Sequence, residues 1–191
     1  MKKNRETINL NDEVIYSNQL KKYGMNRYIL KKIIDEGLLK KVMHGIYIKK
    51  DKEINEFWFM GEKYKNGIYS HNTALYFYGM TDRTPLKLDM TFPSNNRVAN
   101  ELLNVHYIKK EKHKLGAKRI TLEDSTQIQI YDLERTICDI IRDRKKLDPQ
   151  VVTMALKKYV ERKDKRLNLL YNYAKEFNVE RILTQYMEVL I

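Results

Sequence analysis

The sequence predicts an α+β fold. A winged helix-turn-helix over residues 1–50 is followed by a mixed α/β domain over residues 51–191, with a small sheet and C-terminal helices. Three observations predict it. Residues 14–50 alternate helix signals with turn residues and end in a strand-like pair. Short period-two segments cluster in the middle of the chain, and apolar stripes at helical spacing fill the tail.

The first 50 residues are read as a first short helix, a tight turn, a second helix and a two-stranded ribbon. Residues 7–13 suggest a preceding helix or extended arm. Ser17 stands where the first helix needs a cap, because its hydroxyl can accept from an orphan N–H. Gly24 breaks that helix, since without a Cβ it takes a left-handed turn freely. Asn26 caps the second helix. Ile29, Leu30, Ile33 and Ile34 form its buried face, and Arg27 and Lys31 share another. Gly37 ends it. Strands over 38–42 and 46–49 follow, joined by Met43-His44-Gly45.

Charge follows the same division. Residues 1–50 hold 12 Lys/Arg against 5 Asp/Glu, an excess of +7 out of +12 for the whole chain. A basic helix that fits a major groove, followed by a hairpin that reaches the backbone, is an arrangement for duplex DNA. Phosphate neutralisation then accounts for the uneven charge. The candidate DNA-binding residues are Ser17, Lys21, Lys22, Asn26, Arg27, Tyr28, Lys31, Lys32, Lys40, Lys41 and His44.

Beyond residue 50, helices are expected over 54–64, with Ile54, Phe57, Trp58 and Gly61 on one face, and over 70–78, opened by Ser70. Residues 81–85 form a turn. Residues 86–92 alternate, with Leu86, Leu88, Met90 and Phe92 on one side of a strand. Further strands are expected over 105–108, 119–122 and 127–131, with a turn at Glu123-Asp124-Ser125. Asp132 caps a helix over 133–142 whose stripe is Leu133, Ile137, Ile140 and Ile141. Three more stripes follow, centred on Leu156, Leu170 and Met187, with Pro149 at a helix start.

The chemistry of sites is sparse. No GxxxxGK[ST] or GxGxxG loop occurs, and there is no CxxC. The four histidines, His44, His71, His106 and His113, show no i, i+4 pairing. No catalytic, cofactor-binding or metal-binding residue is therefore expected. Asp132, Glu134 and Asp139 read as cap and helix residues. Asp89 could serve a nuclease, but no strand with Glu-x-Lys follows it. The single cysteine, Cys138, excludes an internal disulfide and fits a reducing cytoplasm. No apolar run is long enough to span a membrane, and the charged N-terminus has no apolar segment behind it as a secretory signal would.

At YSHNTALYFYGMTDRTP, residues 69–85, and IQIYDLERTICDIIR, residues 128–142, the chain resembles the AbiEi family. These are antitoxins of AbiE-type toxin–antitoxin and phage abortive-infection systems. The stretch KKVMHGIYIKK, residues 40–50, is similar to the family's N-terminal domain, and residues 167–183 to its end. The resemblance implies two activities. The N-terminal domain binds an inverted repeat in its own promoter and represses it. The C-terminal domain neutralises a nucleotidyltransferase-like toxin. It implies no enzyme and no cofactor. Two other classes stay open on the residues alone: a metal-dependent nuclease targeted by the winged helix, and a plain repressor with a ligand-sensing C-terminal domain.

Overall fold

A computed structural model describes residues 14–190. The element expected over residues 7–13 lies outside them. The chain divides between Asn55 and Glu56 into two compact units.

The first unit contains β1 (Val14–Tyr16), a 3₁₀ segment (Ser17–Tyr23), α1 (Arg27–Asp35), β2 (Leu39–Met43) and β3 (Ile46–Lys49). Its sheet has three antiparallel strands in the order β1-β3-β2, not the two expected. β1 has only three residues, too few to show the alternation that marks a strand in a sequence. Ile15, Leu20, Tyr23, Met25, Leu30, Ile33 and Leu39 close the core, with Ile29 and Ile34 half-buried against it.

Two details correct the expectation for the first helix. It is a kinked 3₁₀ segment, with Gln19 at φ −121°, ψ 18°. Ser17 is its first residue rather than its cap, and no side-chain cap bond forms there. The Ser17 N–H donates to the Gly45 carbonyl at 2.8 Å, so the β2–β3 turn satisfies a donor that a cap would serve. Gly24 does take the left-handed conformation, at φ +65°.

The second unit contains α2 (Glu56–Lys63), β4 (Ile68–Tyr69), α3 (His71–Phe77), β5 (Leu88–Pro93), β6 (Leu103–Ile108), α4 (Lys110–His113), β7 (Ala117–Thr121), β8 (Gln127–Tyr131), α5 (Leu133–Arg142), α6 (Pro149–Glu161), α7 (Leu167–Glu176) and α8 (Glu180–Leu190). The strands form one mixed sheet in the order β6-β5-β4-β8-β7. Its β5–β6 and β4–β8 pairs are parallel, and its β4–β5 and β7–β8 pairs antiparallel.

Several expectations shift here. Ile54 lies outside α2 and is exposed. Leu86 is 99% exposed and outside β5, so it shares no face with Leu88. Residues 88–92 are all buried, because β5 lies inside the sheet between β4 and β6 and α3 and α4 pack against it. Ser70 precedes α3 without making a side-chain cap bond. The helix over 133–142 forms with the expected bounds, and Asp132 Oδ1 accepts the Arg135 N–H at 2.8 Å. Its apolar stripe is not its only buried side, since residues 133–141 are all buried. The reason is position: α5 packs against α3, α6, α7 and α8.

Burial all round forces the polar residues of α5 to find partners. Arg135 is 0% exposed. Its Nε donates to Asp139 Oδ2 at 3.1 Å, and one terminal nitrogen donates to the Lys112 and Leu115 carbonyls at 3.0 and 2.6 Å. Its guanidinium lies 4.0 Å from the centres of both the Tyr131 and Phe177 rings. Glu134 Oε1 accepts from Tyr159 at 3.3 Å, and its Oε2 pairs with Arg166.

Two outcomes follow. Arg135→Ala should lower the stability of the second unit by about 3–5 kcal/mol, because it leaves buried Asp139 with Arg142 as its one remaining cation, strands the Lys112 and Leu115 carbonyls and opens a cavity between Tyr131 and Phe177. Urea unfolding followed by the fluorescence of Trp58, on α2, measures it; a loss under about 1 kcal/mol would refute this role. The second outcome concerns His113 on α4, whose Nε2 donates to the Thr91 carbonyl at 3.1 Å. Burial, the largest cause, and the Arg135 charge outweigh that hydrogen bond and hold its pKa below the usual histidine value. The unfolded chain therefore takes up a proton while the folded chain stays neutral. Stability present above about pH 6.5 is lost as pH falls through that value. The urea midpoint should fall between about pH 7.5 and 5.5, and fall less in His113→Asn. An equal fall in the variant would refute the assignment.

Candidate nucleic-acid interface

α1 carries the centre of the basic surface. Asn26 precedes it with extended φ/ψ, and its Oδ1 accepts the Ile29 N–H at 2.9 Å. That cap fixes where the helix starts, and so which side faces the core. Leu30 and Ile33 point inward, while Arg27, Tyr28, Lys31 and Lys32 are exposed. Tyr28, at 77% exposed, is a large ring without cover. Lys32 reaches Glu36 at 3.7 Å along the same helix. Such an exposed pair contributes little and yields readily to a phosphate.

The other candidates flank this helix in sequence. Ser17, Lys21 and Lys22 sit exposed on the 3₁₀ segment, and Lys22 lies 5.3 Å from the centre of the Tyr23 ring. Lys40 and Lys41 are adjacent on β2, where successive side chains leave opposite faces of a sheet. Lys41 is exposed and Lys40 half-buried, so the two do not present one charge cluster. His44 is exposed in the turn between β2 and β3. Gly45 beside it has φ +76°, and a Cβ there would stand 2.7 Å from Ser17 Oγ. The turn is thus held against the start of the 3₁₀ segment by a backbone hydrogen bond and a close approach.

A second polar group lies in the other unit, where no local motif announces it. His71 and His106 stack with ring centres 3.6 Å apart. His71 Nε2 stands 3.3 Å from Asp143, and His106 Nε2 stands 2.7 Å from Asp89. Burial, as the largest cause, holds the His71 pKa below its usual value, against the pull of Asp143. Asp143 in turn is held far below the usual carboxylate range, chiefly by the His71 hydrogen bond. The members of this group come from distant parts of the sequence, so no spacing pattern marks it. The strand beside Asp89 is β6, which reads Leu-Asn-Val-His-Tyr-Ile and supplies a histidine rather than a Glu-x-Lys pair. Along α6 runs an open groove of about 430 Å³, lined by Pro149, Gln150, Thr153, Met154, Lys157, Lys158 and Glu161. Among the described residues no helix is long and apolar enough to cross a membrane.

These features define a mixed α+β protein with two small sheets. No family model matches the sequence, and no curated protein does. In fold the chain is similar to the crystal structure of the RV2827C protein from Mycobacterium tuberculosis, with a TM-score of 0.53 and 13% identity. The likeness covers 94% of this chain and 76% of that one. At that identity the likeness is one of fold alone.

The geometry of the first unit can be tested directly. Asn26→Ala should cost about 1 kcal/mol by removing the cap. Gly45→Ala should cost about 1–3 kcal/mol, because a side chain is strained at that φ. Hydrogen exchange of the amides of α1 and β3 reads both. Protection unchanged in Gly45→Ala would mean that the turn is not held as described.

Proposed function

We propose that the first unit is a winged helix-turn-helix that binds duplex DNA, and that the protein is the antitoxin and autorepressor of an AbiE-type system. The observation that supports DNA binding best is α1 itself. It is a capped helix whose apolar side is closed on a core and whose Arg27, Tyr28, Lys31 and Lys32 are exposed. On this reading α1 enters the major groove, where Arg27 reads a base edge and Lys31 meets phosphate. The β2–β3 hairpin is the wing, with Lys41 and His44 as its backbone contacts. The target is an inverted repeat in the protein's own promoter.

The antitoxin half rests on the resemblance of residues 69–85 and 128–142 to the AbiEi family. Ser70, His71, Thr73, Ala74 and Leu75 in the first stretch are buried, as are residues 130–141 in the second. Much of the resemblance therefore lies in core residues, whereas residues 82–84 of the first stretch are exposed, and the toxin is contacted by surfaces of the second unit. No catalytic role is assigned to either unit. The cognate toxin is of the nucleotidyltransferase class, and the protein acts in the cytoplasm.

The test uses the full chain with Arg27→Glu and Lys31→Glu together. Promoter binding, read by fluorescence anisotropy, should be lost. In the wild type, log K should fall with log salt by about 0.9 per phosphate neutralised. Rescue of growth from the toxin should persist in the variant. Wild-type binding insensitive to salt would remove the DNA reading. Loss of rescue by a folded variant would refute the division of labour.

A further inference from the structure

The polar group of the second unit has a use that the DNA reading leaves untouched. It gathers where α3 begins, where β5 lies beside β6, and where α5 ends. His71 is the first residue of α3, fully buried, with φ +46°. A non-glycine residue in that conformation is held there by its surroundings. Its Nδ1 lies 3.0 Å from Ser70 Oγ, which also accepts from Thr91 Oγ1 at 2.8 Å. Asp89, on β5, holds His106 through Oδ1. Its Oδ2 is buried without a hydrogen-bond partner among the described residues.

We infer that His71, His106 and Asp143 form a binding site for a divalent transition-metal ion of the zinc type. One ligand atom from each lies within 4.8 Å of the other two. Metal bonds of about 2.0–2.2 Å in a tetrahedron set ligand atoms roughly 3.4 Å apart. The His71 and Asp143 atoms already stand at 3.3 Å. Two imidazoles and a carboxylate are a nitrogen and oxygen donor set that suits zinc.

The surroundings supply the outer hydrogen bonds that such ligands use. With the ion bound, Asp89 accepts from His106 Nε2–H, and His71 exchanges the Nε2–H that faces Asp143 for an Nδ1–H that donates to Ser70 Oγ. Each ring then keeps one unprotonated nitrogen for the ion. Coordination turns the His106 ring out of its stack, because the ion must lie in the plane of each imidazole. Lys146 holds Asp143 Oδ1 at 3.0 Å, while Oδ2, the oxygen that faces His71, also accepts from Arg142 at 3.0 Å, a contact that the ion must displace. The His106 and Asp143 side chains, 15% and 14% exposed, form the entrance. Three protein ligands leave a fourth position for water. The ion would join the edge strand β6 to the start of α3 and the end of α5. A Ser-His-Asp hydrolase is the other reading of Ser70, His71 and Asp143, but Ser70 is fully buried and has no access to a substrate.

The experiment uses the full chain, stripped with a chelator and dialysed. Titration with Zn²⁺ by calorimetry should give one equivalent bound, and Co²⁺ should show tetrahedral absorption bands. Zn²⁺ should raise Tm, and EDTA should reverse the rise. His106→Ala and Asp143→Asn should each weaken binding at least tenfold, and Asp89→Asn should weaken it roughly 10–100-fold. A second readout covers variants that fail to fold. In the wild type, Zn²⁺ should shift the ring resonances of His71 and His106 and leave those of His44 and His113 in place. The proposal is overturned by no saturable binding, by binding that survives both ligand variants, or by shifts at His44 instead.

Discussion

The second unit depends on one buried cation. Arg135 lies inside α5, and α5 is enclosed by four other helices. Removing a guanidinium from water is expensive unless its charge and its N–H groups are met. Asp139 meets the charge one turn along the same helix. The Lys112 and Leu115 carbonyls meet one terminal nitrogen; Lys112 lies on α4 and Leu115 in the turn that carries the chain from α4 into β7. The rings of Tyr131 and Phe177 cover the flat faces. A single side chain thus sets the distance between the central helix, the last strand before it, a turn beyond the sheet and the end of α7.

The neighbours extend that constraint. Gly116 follows the carbonyl-bearing turn, and a Cβ there would stand 2.7 Å from Arg135 Cβ. Its own carbonyl accepts from the Asp132 N–H at 2.7 Å. Asp132 caps α5 with one oxygen and accepts from Tyr173, on α7, with the other. Asp139 also pairs with Arg142 at 2.7 Å, and Arg142 leads on to Asp143. The polar side of α5 therefore forms a continuous path from its cap at Asp132 to the His71 and His106 pair. Buried polar groups of this kind tolerate few alternative packings, because each misplacement strands a charge.

This explains how much was legible in the sequence. α1, β3, β8 and α5 were readable, because periodicity, Asn26, Asp132 and the flanking glycines marked them locally. β4 was not, since two residues beside a helix carry no pattern. The bounds of β5 were misread because Leu86 continued the alternation without belonging to the strand. Among the candidate contacts, the exposure of Arg27, Tyr28 and Lys31 followed from the helix period. The separation of Lys40 from Lys41 required only the strand period, which the charge argument overlooked. The histidine pair was illegible for a different reason. His71, His106, Asp89 and Asp143 come from four elements, and only the pairing of β5 with β6 and the crossing of α5 bring them together.

The two units treat charge in opposite ways, and that contrast carries the functional reading. Among its described residues, the first unit fully buries aliphatic, aromatic and methionine side chains alone, and leaves Arg27, Lys21, Lys31, Lys32 and Lys41 in water. Exposed cations there contribute little to stability, so they are free to serve a polyanion. The second unit places Arg135, Glu134 and Asp139 out of water, where their positions are set by partners. Those charges cannot be spared for a ligand surface without loss of the fold. Much of the family resemblance, over residues 69–75 and 130–141, falls in this second group. A sequence likeness there reports how the core is assembled. On the proposed antitoxin reading, the partner protein reads what lies outside it, such as the α6 surface around Met154 and Lys157, where side chains can vary without disturbing Arg135.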